Sequence, residues 1–188
     1  MRSSANLGHS ETSLDVALFL DVAKALSAMV SLNKATAEKL GRVVQRARDR
    51  FAKAYAEYAL YELAKLNRLE EAVVNELGIE GLSAEGDEAK LLGEAFVNLA
   101  TQLHTVLDEL AQRIDVPTLI RFTEVAEPLL KLVSLQMMAY AKVVEDYSTS
   151  PPAARALRRT SKDLLHLAAK VKLMRSALHN KQRFSKRI

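Results

Sequence analysis

GIEGLSAEGDE, residues 78–88, is the stretch that decides how this chain folds. It holds three of the six glycines in 188 residues, and on both sides of it apolar residues recur every three and four positions. That recurrence is the period of a helix with one apolar face, and nowhere does the chain alternate as a half-buried strand would. A cluster of glycines between two such patterns is a turn. Upstream, the series Leu40, Val43, Ala47, Phe51, Tyr55, Tyr58, Leu66, Val73, Leu77 predicts one helix. Thr12 or Ser13 is its candidate N-cap and Gly41 its sole breaker. Downstream, Leu92, Phe96, Leu99, Leu103, Leu110 and Ile114, then Leu119 to Val144, predict a second helix from about Glu85 to Tyr147.

Two prolines punctuate that second helix. Pro117, in RIDVPTLI, can end one segment and open the next, with Asp115 as a cap. Pro128, in VAEPLLKL, sits inside a continuing apolar pattern and reads as a helix kink. STSPP (148–152) is the second turn, and Pro151 or Pro152 opens a third helix to about His179, packed through Leu164, Leu165, Ala168, Val171 and Leu178. The expectation is all-α: an elongated antiparallel three-helix bundle with kinked long helices, the first near 100 Å at ~1.5 Å per residue. So thin a layer has little core per unit length, and pairing into a six-helix homodimer would cover more of it. The domain reading is a flexible leader (1–12), one helical domain (13–180) and a basic tail (181–188).

Composition sets bounds on function. The chain is 49% hydrophobic and 27% charged, with no cysteine, which excludes disulfides and thiolate metal sites. VALFL (16–20) is flanked by Asp15 and Asp21 and does not read as a signal peptide. No run of 18 uncharged apolar residues is present, so no bilayer span is expected, and the expected location is cytoplasmic, peripheral to membranes. Asp163 and His166 have the i, i+3 spacing of di-iron bundles but no second copy, so no metal site is expected. Glu70/Glu71, Asp87/Glu88 and Asp108/Glu109 are adjacent acids that read as solvated faces. With no phosphate loop or nucleophile motif, no catalytic residue and no cofactor are assigned, and the chain is not expected to be an enzyme. Tyr55, Tyr58 and Tyr61 step by three and are expected to pack on a neighbouring helix, while RRTS (158–161) has the form of a basophilic kinase site at Ser161.

Charge is the informative feature. Residues 155–188 carry eleven Lys/Arg against Asp163, which is +10; the whole chain is +4, so residues 1–154 are −6. A second basic cluster lies in the first helix, where Arg42, Arg46, Arg50 and Lys53 share one face at i, i+4, i+8 and i+11. Cations confined to parts of a helical rod suit polyanions, either lipid headgroups or nucleic acid.

LLGEAFVNLATQLHTVLDELAQ (91–112) followed by FTEVAEPLLKL (122–132) resembles the second helix of the BAR-domain superfamily, dimeric three-helix modules that bind and bend membranes. The resemblance covers about residues 13–180. It implies a kink at Pro128, tip cations Arg155, Arg158 and Arg159, and a face stripe Arg42, Arg46 and Arg50, with Lys53 and Lys162 as further candidate cations. Lys181, Arg183, Lys186 and Arg187 of the tail complete the candidate membrane-binding set. The expected partner is an anionic lipid membrane, bound by a homodimer that senses or imposes curvature. The alternatives are an adaptor that binds another protein's helix and, disfavoured by sparse aromatics, a nucleic-acid binder.

Overall fold

The computed structural model describes residues 8–48, 50–79, 82, 88–147 and 150–185. All secondary structure among them is helical: α1 (Gly8–Arg46), α2 (Arg50–Glu76), α3 (Glu88–Leu92), α4 (Glu94–Gln112), α5 (Val116–Tyr147) and α6 (Pro151–Ser185). The all-α reading holds. The three-helix arrangement is replaced by something shorter and thicker.

Both expected long helices are broken. The first stops at Arg46 and resumes at Arg50, and α2 folds back antiparallel along α1, with Lys34 paired to Glu71 at 2.9 Å and Asn33 to Glu70 at 2.7 Å. Arg42, Arg46 and Arg50 would stack like charges at i, i+4 through this point, which disfavours continuing the helix. Asp49, which has the chemistry of an N-cap for α2, lies outside the described residues. The second long helix breaks at Gly93, whose φ of 85° only glycine adopts cheaply, and again at residues 113–115. There Asp115 Oδ1 accepts from the Thr118 N–H at 2.9 Å and the Thr118 hydroxyl at 2.7 Å, so Asp115 caps α5 as expected. α5 continues through Pro128. α2 ends in a Schellman turn: Gly78 (φ 63°) and Ile79 donate to the carbonyls of Asn75 (3.1 Å) and Val74 (3.2 Å). α1 begins at Gly8, so residues 8–12 of the expected leader are helical, and residues 181–185 of the expected tail continue α6. Residues 1–7 and 186–188, including Lys186 and Arg187, lie outside the described residues.

The order of contacts closes a ring. α1 packs on α2, α2 on α6, α6 most extensively on α5, α5 on α4, and α4 on α1. Cross-contacts set the directions. Gln136 Nε2 donates to Leu92 O (2.6 Å) and Arg121 pairs with Glu109 (2.5 Å), so α4 and α5 are antiparallel. Thr36 meets His104 and Lys39 meets Asp108, so α1 and α4 run parallel, as one pair must in a ring of five. Lys65–Asp163 (3.2 Å) and Lys170–Tyr58 make α2 and α6 antiparallel. Met137 and Val144 on α5, Leu157 and Leu178 on α6 and Leu107 on α4 are fully buried, with Leu26 and Met29 of α1 close behind. Leu165, expected in that core, is instead 49% exposed. Ser161, the expected kinase target, is buried, and its hydroxyl lies 2.9 Å from that of Ser134.

Val16–Arg46 of α1 is long and apolar enough to cross a membrane, contrary to the count of uncharged residues alone. Within it Val22, Ala23, Ala25, Leu26 and Met29 join the common core, while Val16, Leu18 and Leu20 are exposed and only 28% of its apolar stretch is buried.

Candidate functional site

The ring fixes where the charges go. α1, α4 and α6 point their C-termini to one end, and α2 and α5 start there. From the Lys170–Tyr58 contact, eight residues along α2 to Arg50 and thirteen along α6 to Arg183 are ~12 and ~20 Å toward that same end. Arg46 donates to the Ala111 carbonyl at 3.2 Å, which brings the close of α4 there too. This end therefore gathers Arg42, Arg46, Arg48, Arg50, Lys53, Lys181 and Arg183 from the two separate basic segments.

Three carboxylates near this end are occupied. Arg113 holds Asp115 (2.9 Å), Arg121 holds Glu109 (2.5 Å) and Lys39 holds Asp108. The Lys39 hydrogen bond, then the charges of Lys39 and Arg42, keep the Asp108 carboxyl below its usual range, although its burial opposes them. Lys53 faces Glu57 only at 3.9 Å. Arg42, Arg48, Arg50 and Arg183 are exposed and have no ion pair with a carboxylate among the described residues.

Arg155, Arg158 and Arg159 lie at the opposite end, at the start of α6. The Ser150 hydroxyl bonds Glu76 at 3.0 Å there, and Arg158 is paired with Glu145. Glu71, Glu76, Glu94, Glu145 and Asp146 share that end, so its cations are set among acids. Lys162 is exposed, part-way along α6. The expected tip cluster and the expected face stripe thus lie at opposite ends of the bundle, while the stripe and the described tail cations Lys181 and Arg183 share one end.

Inside the ring lies a second feature, invisible to the sequence reading. α2 rests on α1 and α6 and makes no extensive contact with α4 or α5. Between them is a cavity of about 160 Å³, whose wall runs from Phe96 to Leu110 on α4 and from Leu119 to Val133 on α5, a span of ~21 Å. A dry void of that size costs about 4 kcal/mol relative to a filled one. Polar groups touch it sparingly. Asn33 is taken up by Glu70, and Thr36 gives its proton to Leu32 O (2.9 Å) and accepts from His104 Nε2 (3.0 Å). Burial, then Lys39, lowers the His104 pKa, which favours that neutral imidazole.

Glu70 is the most unusual charge in the molecule. It is 1% exposed, and its Oε1 has no hydrogen-bond partner. Burial, opposed by the Asn33 hydrogen bond and assisted by Glu71, pushes its pKa up to about 7. Reading Glu70/Glu71 together as a solvated face was therefore half right: Glu71 pairs with Lys34, and Glu70 is core. Of the three tyrosines, Tyr55 is half-buried, Tyr58 contacts Lys170 and Tyr61 is 68% exposed. Asp163 pairs with Lys65. No family model, no curated protein and no solved structure matches this chain.

Proposed function

We propose that this protein is a non-catalytic helical module that docks the end of its bundle carrying Arg42, Arg48, Arg50 and Arg183 onto an anionic membrane surface. One observation carries this reading: two basic segments about 130 residues apart in the chain share one end, where Asp108, Glu109 and Asp115 are already paired. Each exposed Lys or Arg near an anionic leaflet contributes about 1 kcal/mol, so the four arginines supply about 4 kcal/mol per protomer, a salt-sensitive, millimolar-scale attachment that two copies side by side would strengthen. The homodimer belongs to the same proposal, supported by Leu135, Met138, Leu165 and Leu173, which are exposed on α5 and α6. The BAR resemblance extends here to charge-driven docking. It does not extend to curvature, which needs the long uninterrupted helices that the α1–α2 and α4–α5 hairpins replace.

Co-sedimentation with vesicles tests it. The protein is expected to pellet with phosphatidylserine-containing vesicles at low salt, to lose about tenfold or more in affinity at several-fold higher ionic strength, and to ignore pure phosphatidylcholine. Equal binding to both vesicle types, or none to the anionic one at low salt, would remove the proposal.

A further inference from the structure

We propose that the cavity inside the helical ring is a binding site for one long-chain fatty acid, its alkyl chain lying along the α4–α5 wall and its carboxylate held by Lys170 and Tyr58. This inference stands on the interior of the bundle and is independent of the basic end.

Three observations converge on that ligand. First, the cavity is long, narrow and lined almost wholly by apolar side chains, and alanines at 56, 59, 100 and 126 leave the space that larger residues would fill. Water needs two to four polar partners to occupy such a place and does not find them here. An extended alkyl chain matches both the shape and the chemistry. Second, Tyr58 and Lys170 are the exposed members of the lining, and they bond to each other across the seam between α2 and α6. The Lys170 ammonium also sits 4.9 Å from the centre of the Tyr58 ring. They mark the mouth, and a carboxylate arriving there meets an ammonium and a phenol hydroxyl, both donors. The anion already present is a loose partner, since Glu62 stands 3.8 Å from Lys170. Third, α2 packs extensively only on α1 and α6, and the α4–α5–α6 contacts do not run through it. It can shift outward on α1 and α6 to admit a chain while leaving the α4–α5–α6 contacts in place.

The test uses the delipidated full chain and titrates it calorimetrically with hexadecanoate and, separately, hexadecanol. Saturable binding of one hexadecanoate per chain is expected, with a higher thermal midpoint in its presence. Ala126→Phe and, separately, Ala100→Phe fill the cavity and are expected to weaken binding at least tenfold. Lys170→Met, at an exposed position that leaves the core untouched, is expected to weaken hexadecanoate about tenfold and hexadecanol little. The proposal is overturned by the absence of saturable hexadecanoate binding or by tighter binding of the alcohol than of the acid. Affinity unchanged in both phenylalanine variants would also overturn it. Should those variants fold poorly, Lys170→Met and the wild-type thermal shift still decide.

Discussion

Glu70→Gln is expected to stabilise the protein by about 3 kcal/mol at pH 8 and by nothing at pH 4. The sign follows from burial. Glu70 is 1% exposed and its pKa stands at about 7, against 4.5 for an unfolded chain. Below pH 4.5 both states hold the proton and the residue has no net effect. As pH rises from 4.5 to 7 the unfolded chain ionises while the fold keeps Glu70 neutral, so stability falls by about 1.4 kcal/mol per pH unit. Above pH 7 the loss is complete, and the bundle carries a buried carboxylate supported by the 2.7 Å bond from Asn33 and opposed by Glu71. Glutamine keeps an acceptor for Asn33 and cannot ionise. Asp108, Asp115 and Glu127 have lowered pKa values and pull the pH dependence the other way, so the informative quantity is the difference between variant and wild type. Urea denaturation at pH 4 and pH 8 measures it, and a difference of the same size at both pH values would contradict the assignment.

Replacing Arg42, Arg48, Arg50 and Arg183 together by Glu is expected to reduce affinity for anionic vesicles about a thousandfold or more. Losing four surface cations at about 1 kcal/mol each is about 4 kcal/mol, which is three decades in affinity, and the introduced negative charges add repulsion. All four are exposed, so the fold should survive, as circular dichroism would show. The paired substitution of Arg155 and Arg159 by Glu is the contrasting case. Those residues sit at the other end among Glu76, Glu94, Glu145 and Asp146, and their loss should leave vesicle binding nearly intact. A drop of equal size in both variants would mean that net charge, not the basic end, governs attachment.

Some of this was legible in the sequence and some was not, for identifiable reasons. GIEG at 78–81, Asp115 with Pro117, and Pro151 announce helix ends by local chemistry, and each end stands where that chemistry puts it. Gly93 carries no clear signal, because a lone glycine in an apolar pattern is ambiguous: Gly41 stays helical, whereas Gly93 takes φ 85°. The break after Arg46 has a signal in the stacked arginines, but a row of cations at that spacing reads equally well as a binding stripe on an unbroken helix. Glu70 could have been found, since Leu63, Leu66, Val73 and Leu77 step through its position at helical spacing and place it on the core face. The meeting of the two basic segments could not. It depends on the order in which five helices close, as does the cavity, which exists because α2 does not reach α4.

The absence of cysteine makes a single labelled position unambiguous, and α4 offers two exposed ones ~21 Å apart, Asn98 and Gln112. A fluorophore on Asn98→Cys or on Gln112→Cys, with a quencher carried by phosphatidylserine-containing vesicles, reports which end of the bundle meets the membrane. The expected result is strong quenching at position 112 and little at 98. Equal quenching at both positions, or stronger quenching at 98, would contradict docking through the basic end.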